Sequence, residues 1–268
     1  MFKKLFKILV IIFALIGFSF ISIYLFMKMG LTKTEGVDDD EIFVKITTDN
    51  NGYASFPLAH TPEWIAFRQA VIKDKSIIEK ISKETGISQR LLVSILVPEQ
   101  MRLFHSNRPL FKEIFSPLKI LGSQSQFSWG IFGIKDETAR NVEIHLKDKT
   151  SPFYLGKKYE NILDFKSKEI DEERFQRIID EHDHTYSYLY TALYILQINK
   201  HWSKAGFPIE DKPDIIATLY NLGFDKSKPN KDPKSGGAEI EINGVSYSFG
   251  SLAKSFYYSD EMIEVFPK

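Results

Sequence analysis

The sequence contains no cysteine, which excludes disulfide frameworks, thiolate metal sites and cysteine nucleophiles. It also lacks an excess of either charge, because 35 Lys and Arg residues balance 35 Asp and Glu residues. A chain without net charge has no long-range field that attracts a polyanion, so nucleic-acid binding is not expected. Gly-x-Ser-x-Gly, P-loop and dinucleotide-binding fingerprints are absent too. What remains is a chain of 268 residues, 43% hydrophobic, which is enough to bury a core.

One long apolar run begins at Ile8 and ends at Met27, directly after Lys3, Lys4 and Lys7. A helix of about 20 such residues crosses roughly 30 Å of hydrocarbon. No small-residue cleavage site follows the run, so we expect an uncleaved signal anchor and not a removed signal peptide. The preceding lysines predict a cytoplasmic N-terminus, with the rest of the chain on the other side of the membrane.

Composition divides the chain into three parts. Residues 1–30 are the predicted cytoplasmic stub and transmembrane anchor, and residues 31–61 form a polar spacer with one predicted strand at 42–47. Residues 62–268 carry mostly helical periodicity, followed by a hairpin signal around Asn243 and Gly244. The sequence therefore predicts a mainly α (α+β) domain with a small β-hairpin, preceded by one transmembrane helix.

The most informative stretch of the domain reads KETGISQRLLVSILVPEQMRLF and spans residues 83–104. A turn at Gly86 and a cap at Ser88 predict an apolar helix that carries a single carboxylate, Glu99, near its end. A carboxylic acid in apolar surroundings is suited to protonate the leaving oxygen of a glycosidic bond. Pro98 precedes it and predicts either a kink that aims Glu99 or simple termination of the helix.

Two further segments matter for function. SWGIFGIKDETA, residues 128–139, reads as a glycine-rich loop that feeds a helix capped by Asp136. ATLYNLG, residues 217–223, reads as the end of a helix that stops at Gly223. Asp136 and Glu137 are the nearest candidates for a second catalytic carboxylate, but we interpret them as residues favoured by the positive end of a helix.

Two other patterns are interpreted as structural. Tyrosines recur every fourth residue at 186, 190 and 194, which predicts a buried helix face in preference to a ligand-stacking stripe. His182 and His184 lie two residues apart and so point to different sides of a helix. A metal site is not expected there.

The three segments resemble, in the same order, motifs of the lysozyme-like lytic transglycosylases, a glycoside hydrolase family 23-like group. In that family a helix ends in Glu-Ser, a Gly-Leu-Met-Gln-Ile/Leu-x-Pro-x-Thr-Ala stretch follows, and Ala-x-x-Tyr-Asn-x-Gly ends a later helix. The matched positions are Glu99, Gly130, Ile131, Phe132, Ile134, Thr138, Ala139, Ala217, Tyr220, Asn221 and Gly223. The resemblance spans residues 77–223.

The chain departs from the family pattern at four positions. Gln100 replaces the serine after the acid, Gly133 the glutamine, and Asp136 the proline of the second motif. Trp129 stands where the family has a small residue. The spacing between motifs also requires insertions at about residues 106–126 and 147–182.

The resemblance implies a peptidoglycan lytic transglycosylase in the bacterial cytoplasmic membrane, with its domain in the periplasm or outside the cell. Glu99 is implied as the sole catalytic residue. It would protonate the oxygen between N-acetylmuramic acid (MurNAc) and N-acetylglucosamine (GlcNAc), then act as base on the sugar's own 6-hydroxyl to give a 1,6-anhydro product. No metal or cofactor is implied. The implied substrate-binding residues are Gln100, Ser128, Gly130, Ile131, Phe132, Tyr220 and Asn221.

Two alternatives use the same residues differently. A non-catalytic peptidoglycan-binding or scaffolding protein would keep the lysozyme-like fold without turnover, as the substitutions at Gln100 and Gly133 allow. A structural membrane subunit recognised by a partner chain would leave Glu99 without a catalytic task. Exposure of Glu99 in an open groove would favour the first two functions, and burial in a protein contact would favour the third.

Overall fold

The computed structural model of the chain describes residues 55–104, 128–223 and 228–268, without the side chains of Phe104 and Ser128. The predicted anchor, the strand predicted at 42–47 and the insertion at 106–126 lie outside these residues. None of the helices in the described ranges is both long enough and apolar enough to cross a bilayer.

Eight helices and four short strands make up the described part of the chain. In order they are α1 (Pro62–Lys73), α2 (Lys75–Thr85), α3 (Gln89–Phe104), β1 (Ser128–Trp129), β2 (Ile134–Lys135), α4 (Asp136–Lys147), α5 (Ile170–Ile179), α6 (Thr185–Lys204), α7 (Pro213–Leu222), β3 (Glu239–Ile242), β4 (Val245–Ser248) and α8 (Phe249–Tyr258). The prediction of a mainly helical domain is confirmed. Each strand pair forms its own two-stranded antiparallel sheet.

The domain begins with a capped helix and a sharp break. Thr61 accepts a hydrogen bond from the backbone N–H of Trp64 at 3.2 Å, and Pro62 occupies the first turn of α1. Asp74 separates α1 from α2, since it ends the first helix and begins the second. Phe56 and Leu58, ahead of α1, are already buried, and the ring centroid of Phe56 lies 4.4 Å from that of Trp64.

Helix α6 lies at the centre of the domain and is buried on almost every side. A helix buried on so many sides belongs to the core of a domain and not to its surface. Tyr190 and Tyr194 are 0% and 2% exposed, which confirms that the tyrosine pattern belongs to the core. Tyr186 is partly buried, and the guanidinium of Arg177 lies 4.4 Å from the centroid of its ring.

The C-terminal helix α8 packs on α7 and on α3. Arg90, whose side chain is fully buried, binds carbonyls in the last turn of α8 and in the segment that follows it. The guanidinium donates hydrogen bonds to the backbone carbonyls of Phe256, Tyr257, Ser259 and Glu261. Burial lowers the pKa of Arg90 to about 10, although the charges of Asp260 and Glu261 oppose this. The segment that carries Glu99 is thereby fixed to the end of the chain.

The predicted hairpin is confirmed. Residues Glu239 and Ser248 mark the ends of the β3–β4 pairing, and the turn consists of Asn243 and Gly244. Their φ angles of 53° and 77° are those of a two-residue turn in which both central residues are left-handed. Asn-Gly is the dipeptide that adopts this turn most readily, so the local sequence decided the feature.

Candidate active site

Helix α3 carries Glu99 into the interior of the domain. Gly86 adopts the left-handed φ of 83° that ends α2, and the Ser88 hydroxyl then accepts a hydrogen bond from the backbone N–H of Leu91. Both predicted signals are therefore confirmed. The helix continues past Pro98 to Phe104, so termination at the proline is excluded. Glu99 therefore lies within α3 and not at its end.

The carboxylate of Glu99 is buried and paired. Its residue is 2% exposed, and both carboxylate oxygens accept hydrogen bonds from Nη2 of Arg102 at 2.6 Å. The spacing of three residues places the two side chains on one face of α3. A guanidinium that donates to both oxygens of a carboxyl group favours its ionised form, whereas a general acid must hold a proton. Glu99 therefore lies in a protein contact and not in an open groove.

The loop predicted at residues 128–135 is a small hairpin. Ser128 pairs with Lys135 and Trp129 with Ile134, and residues 130–133 form the turn between them. The backbone N–H of Gly133 donates to the carbonyl of Gly130 at 3.3 Å, which closes the turn. The side chain of Ser128 lies outside the described part of the structure, so its predicted role is untested.

Gly133 lies directly against Glu99. Its φ is +59°, and a Cβ added there would lie 2.6 Å from the carboxyl carbon of Glu99 and still closer to Oε1. Any side chain at this position would occupy the place of the carboxylate. There is therefore a steric reason for glycine at the position matched to the family glutamine. The carboxylate of Glu99 fills the space that a side chain of residue 133 would need.

Two side chains hold the turn against the helices. Gln100 donates its side-chain amide to the carbonyl of Ile131, and the Tyr220 hydroxyl donates to the carbonyl of Phe132 at 3.2 Å. Gly130 packs so closely that an added Cβ would lie 2.6 Å from the Ser187 hydroxyl. The turn is thus fixed from α3, α6 and α7 at once.

Tyr220 lies beside the Glu99–Arg102 pair, although its proton is directed elsewhere. Burial raises the pKa of Tyr220, a hydrogen bond with Thr191 at 3.3 Å lowers it, and the charges of Glu99 and Arg102 act in opposite directions. The hydroxyl donates to the Phe132 carbonyl, so it positions the turn and not the carboxylate in this state.

The remaining predicted residues have other surroundings. Asn221 accepts a hydrogen bond from the backbone N–H of Ala238 at 2.8 Å and so fixes the segment before β3. Phe132 is 1% exposed and meets the ring of Tyr188 edge to face, which makes it a core residue. Trp129 is 6% exposed and packs on Phe175 in the same manner.

The sequence predicted that Asp136 caps α4, and this prediction is wrong. Lys135 is the N-cap and makes no side-chain cap bond, while Asp136 is the first helical residue. Its Oδ2 accepts from Nε of Arg140 at 2.9 Å, and its Oδ1 lies 3.8 Å from Nη1 of Arg174. Glu137 is exposed. Neither carboxylate adjoins Glu99 through a contact found in the described residues, and the interpretation of Asp136 as a helix-start residue stands.

Sequence reasoning missed Arg102 and the role of Gly133. Arg102 could have been found, since an acid and a base three residues apart on a predicted helix are neighbours. Gly133 could not, because the close approach depends on two segments more than 30 residues apart in sequence. Among the described residues, no group of three or more His, Asp or Glu side chains is placed to hold a metal ion.

The arrangement brings together one buried carboxylate, one partly exposed guanidinium and one phenol, covered by a backbone turn. Chemically, such a group can transfer a proton once the carboxylate is released from its cation. Comparison of the chain with protein-family models, with curated proteins and with solved structures found no match in any of the three.

Proposed function

We propose that the chain is a membrane-anchored lytic transglycosylase that cleaves the β-1,4 bond between MurNAc and GlcNAc in peptidoglycan. Glu99 acts as the single general acid and then as the base, which yields 1,6-anhydro products. The anchor is the apolar run at residues 8–27, and the folded domain lies in the periplasm or outside the cell.

One observation carries this proposal. Three segments that resemble successive motifs of one enzyme family meet around the turn at residues 130–133, which covers a single carboxylate. Gly133 contacts Glu99 directly, Gln100 and Tyr220 bind the carbonyls of the adjoining turn, and the segments they belong to are far apart in sequence. A chance resemblance of three short motifs gives no reason for them to meet in space.

The proposal requires a change at Glu99 before chemistry. Proton donation needs a protonated carboxyl within hydrogen-bond reach of the glycosidic oxygen. Here the carboxylate is 2% exposed and held by Arg102. The arrangement therefore corresponds to a resting state, and substrate binding must separate Glu99 from the guanidinium and displace the turn at residues 130–133.

The burial of Glu99 in a contact with Arg102 favours the third alternative, a structural membrane subunit recognised by a partner chain, in which the Glu–Arg pair serves stability alone. The second alternative is also compatible with this burial. A peptidoglycan-binding or scaffolding protein would have no use for an accessible acid, and a buried Glu–Arg pair would then be structural. On that function Glu99 contributes to stability alone, and a variant without it would still bind the wall polymer if it folds.

The test is digestion of purified peptidoglycan by the full-length chain in detergent, with mass analysis of the soluble products. The wild type is expected to release 1,6-anhydro muropeptides, and Glu99→Gln is expected to release none. Glu143→Gln is the matched control, because Glu143 is a partly buried carboxylate that also pairs with an arginine, Arg174. This control is expected to retain activity.

The outcomes separate the candidates. Products with free reducing ends would indicate hydrolysis and a second carboxylate, against the transglycosylase. Absence of products from the wild type, with cosedimentation of both proteins with the polymer, would favour the binding function. Loss of activity in Glu143→Gln at unchanged thermal stability would mean that the assay does not isolate Glu99.

A further inference from the structure

The guanidinium of Arg102 is only partly used by the protein. Arginine offers five N–H donors, yet both hydrogen bonds to Glu99 come from Nη2. Within the described residues, Nε is buried without an acceptor, and no hydrogen bond uses Nη1. The side chain remains 19% exposed. Donors of one cation thus stay unpaired next to the proposed catalytic acid.

Unpaired buried donors are uncommon because the group loses its water without gaining a partner. The contrast with Arg174 within the same domain is informative. Arg174 is equally part of a carboxylate pair, but its Nε, Nη1 and Nη2 all donate to Glu143 or Asp171. The described part of the fold thus satisfies every nitrogen of Arg174, whereas it provides no acceptor for Nε of Arg102.

We infer that Arg102 is a specificity-determining residue that binds a carboxylate of the glycan beside the bond that Glu99 protonates. The inference rests on the proposed function for the identity of the glycan. A guanidinium binds a carboxylate through two parallel hydrogen bonds from one edge, and the edge formed by Nη1 and Nη2 becomes available once Glu99 leaves Nη2. A substrate carboxylate that accepts a hydrogen bond from Nη1 would share the positive charge that now holds Glu99, and so would favour its release.

This assigns a substrate class. A β-1,4 glycan that contains MurNAc bears a carboxylate on every second sugar, either on the lactyl group or on an attached peptide. A neutral glycan of GlcNAc alone offers no anion to Arg102, and Glu99 would remain paired. The chain is thus expected to discriminate between anionic and neutral glycans through one side chain.

The test measures binding without turnover. Full-length Glu99→Gln in detergent is titrated with peptide-free peptidoglycan strands, and with the same strands after their lactyl carboxylates are converted to amides. We expect at least a tenfold weaker Kd for the amidated strands. In Glu99→Gln/Arg102→Gln the two Kd values are expected to be equal, at the weaker level. Arg140→Gln, which removes an arginine from another carboxylate pair, is the matched control and should keep the full ratio.

Glu99→Gln/Arg102→Lys is a second variant that keeps the test decisive if the Arg102→Gln variant does not fold. Lysine keeps the charge without the fork and should give an intermediate ratio. The inference would be overturned if Glu99→Gln bound amidated and unmodified strands with equal Kd values. It would also be overturned if either Arg102 variant kept the full difference between the two Kd values. These Kd values need no catalysis, so the two proposals can fail separately. If the wild type digests peptidoglycan but the ratio of the two Kd values does not depend on Arg102, only the role of Arg102 is refuted. If the ratio depends on Arg102 but the wild type digests nothing, only the proposed activity is refuted.

Discussion

Replacing Gly133 by alanine tests whether the turn and the carboxylate share one space. The new Cβ would lie 2.6 Å from the carboxyl carbon of Glu99, and alanine would also adopt a φ of +59°. The left-handed conformation alone costs about 1–2 kcal/mol. Glu99 must then move away from Arg102, and breaking a buried ion pair costs about 3–5 kcal/mol when one charge is left alone.

Gly86 provides the matched control. Its φ is +83°, but nothing lies within 4 Å of a Cβ added there. Gly86→Ala should therefore lower the free energy of unfolding only by the conformational cost, about 1–2 kcal/mol. Since Glu99 can relax partly together with Arg102, we expect Gly133→Ala to cost about 2–3 kcal/mol more than the control. Denaturant unfolding of the full-length chain, followed by tryptophan fluorescence, measures both values.

A double-mutant cycle identifies the cause. In a Glu99→Ala background the carboxylate is gone, so Gly133→Ala should cost no more than Gly86→Ala, a coupling of about 2–3 kcal/mol. In a Glu99→Gln background the side chain keeps its size, and most of the steric cost should remain. If Gly133→Ala falls within about 0.5 kcal/mol of Gly86→Ala in the wild type, the close approach of turn and carboxylate is refuted.

Three further predictions concern other contacts. Arg90→Met removes the buried donor shared by four carbonyls at and just beyond the end of α8, and should lower the free energy of unfolding by about 3 kcal/mol or more in the same assay. A loss below about 1 kcal/mol would contradict the capping role. Tyr220→Phe removes the bond to the Phe132 carbonyl and should cost about 1 kcal/mol, with faster amide exchange in the turn at residues 130–133 as the specific readout. Asp74 accepts a hydrogen bond from His184 and raises the pKa of His184 above 6.5. The stabilisation from His184 should therefore be complete below about pH 6.5 and be lost as the pH rises through the folded-state pKa. The difference in Tm between wild type and His184→Gln should shrink over that window, and a difference independent of pH would contradict the prediction.

Sequence reasoning named several residues of the candidate site, but it did not predict the contacts that they make. Glu99 was found because a lone carboxylate in an apolar helix is anomalous at the level of composition. Gln100 and Tyr220 were found by resemblance, but their contacts with the Ile131 and Phe132 carbonyls depend on how three segments meet. Asn221 had the same local signal and binds Ala238 instead, because a side chain at a helix end bonds to whichever backbone the fold brings near it.

What the sequence determined by itself was local. The Ser88 cap, the glycine turn after α2, the Asn243–Gly244 hairpin turn and the buried pattern of α6 each follow from the conformational limits or the polarity of neighbouring residues. The tertiary structure alone decided the rest. It paired Glu99 with Arg102 under the Gly133 turn and, within the described residues, left Nε of Arg102 without an acceptor. It also directed Arg90 to the carbonyls at the end of α8. Such contacts depend on the distance between segments remote in sequence, and periodicity along the chain carries no information about that distance.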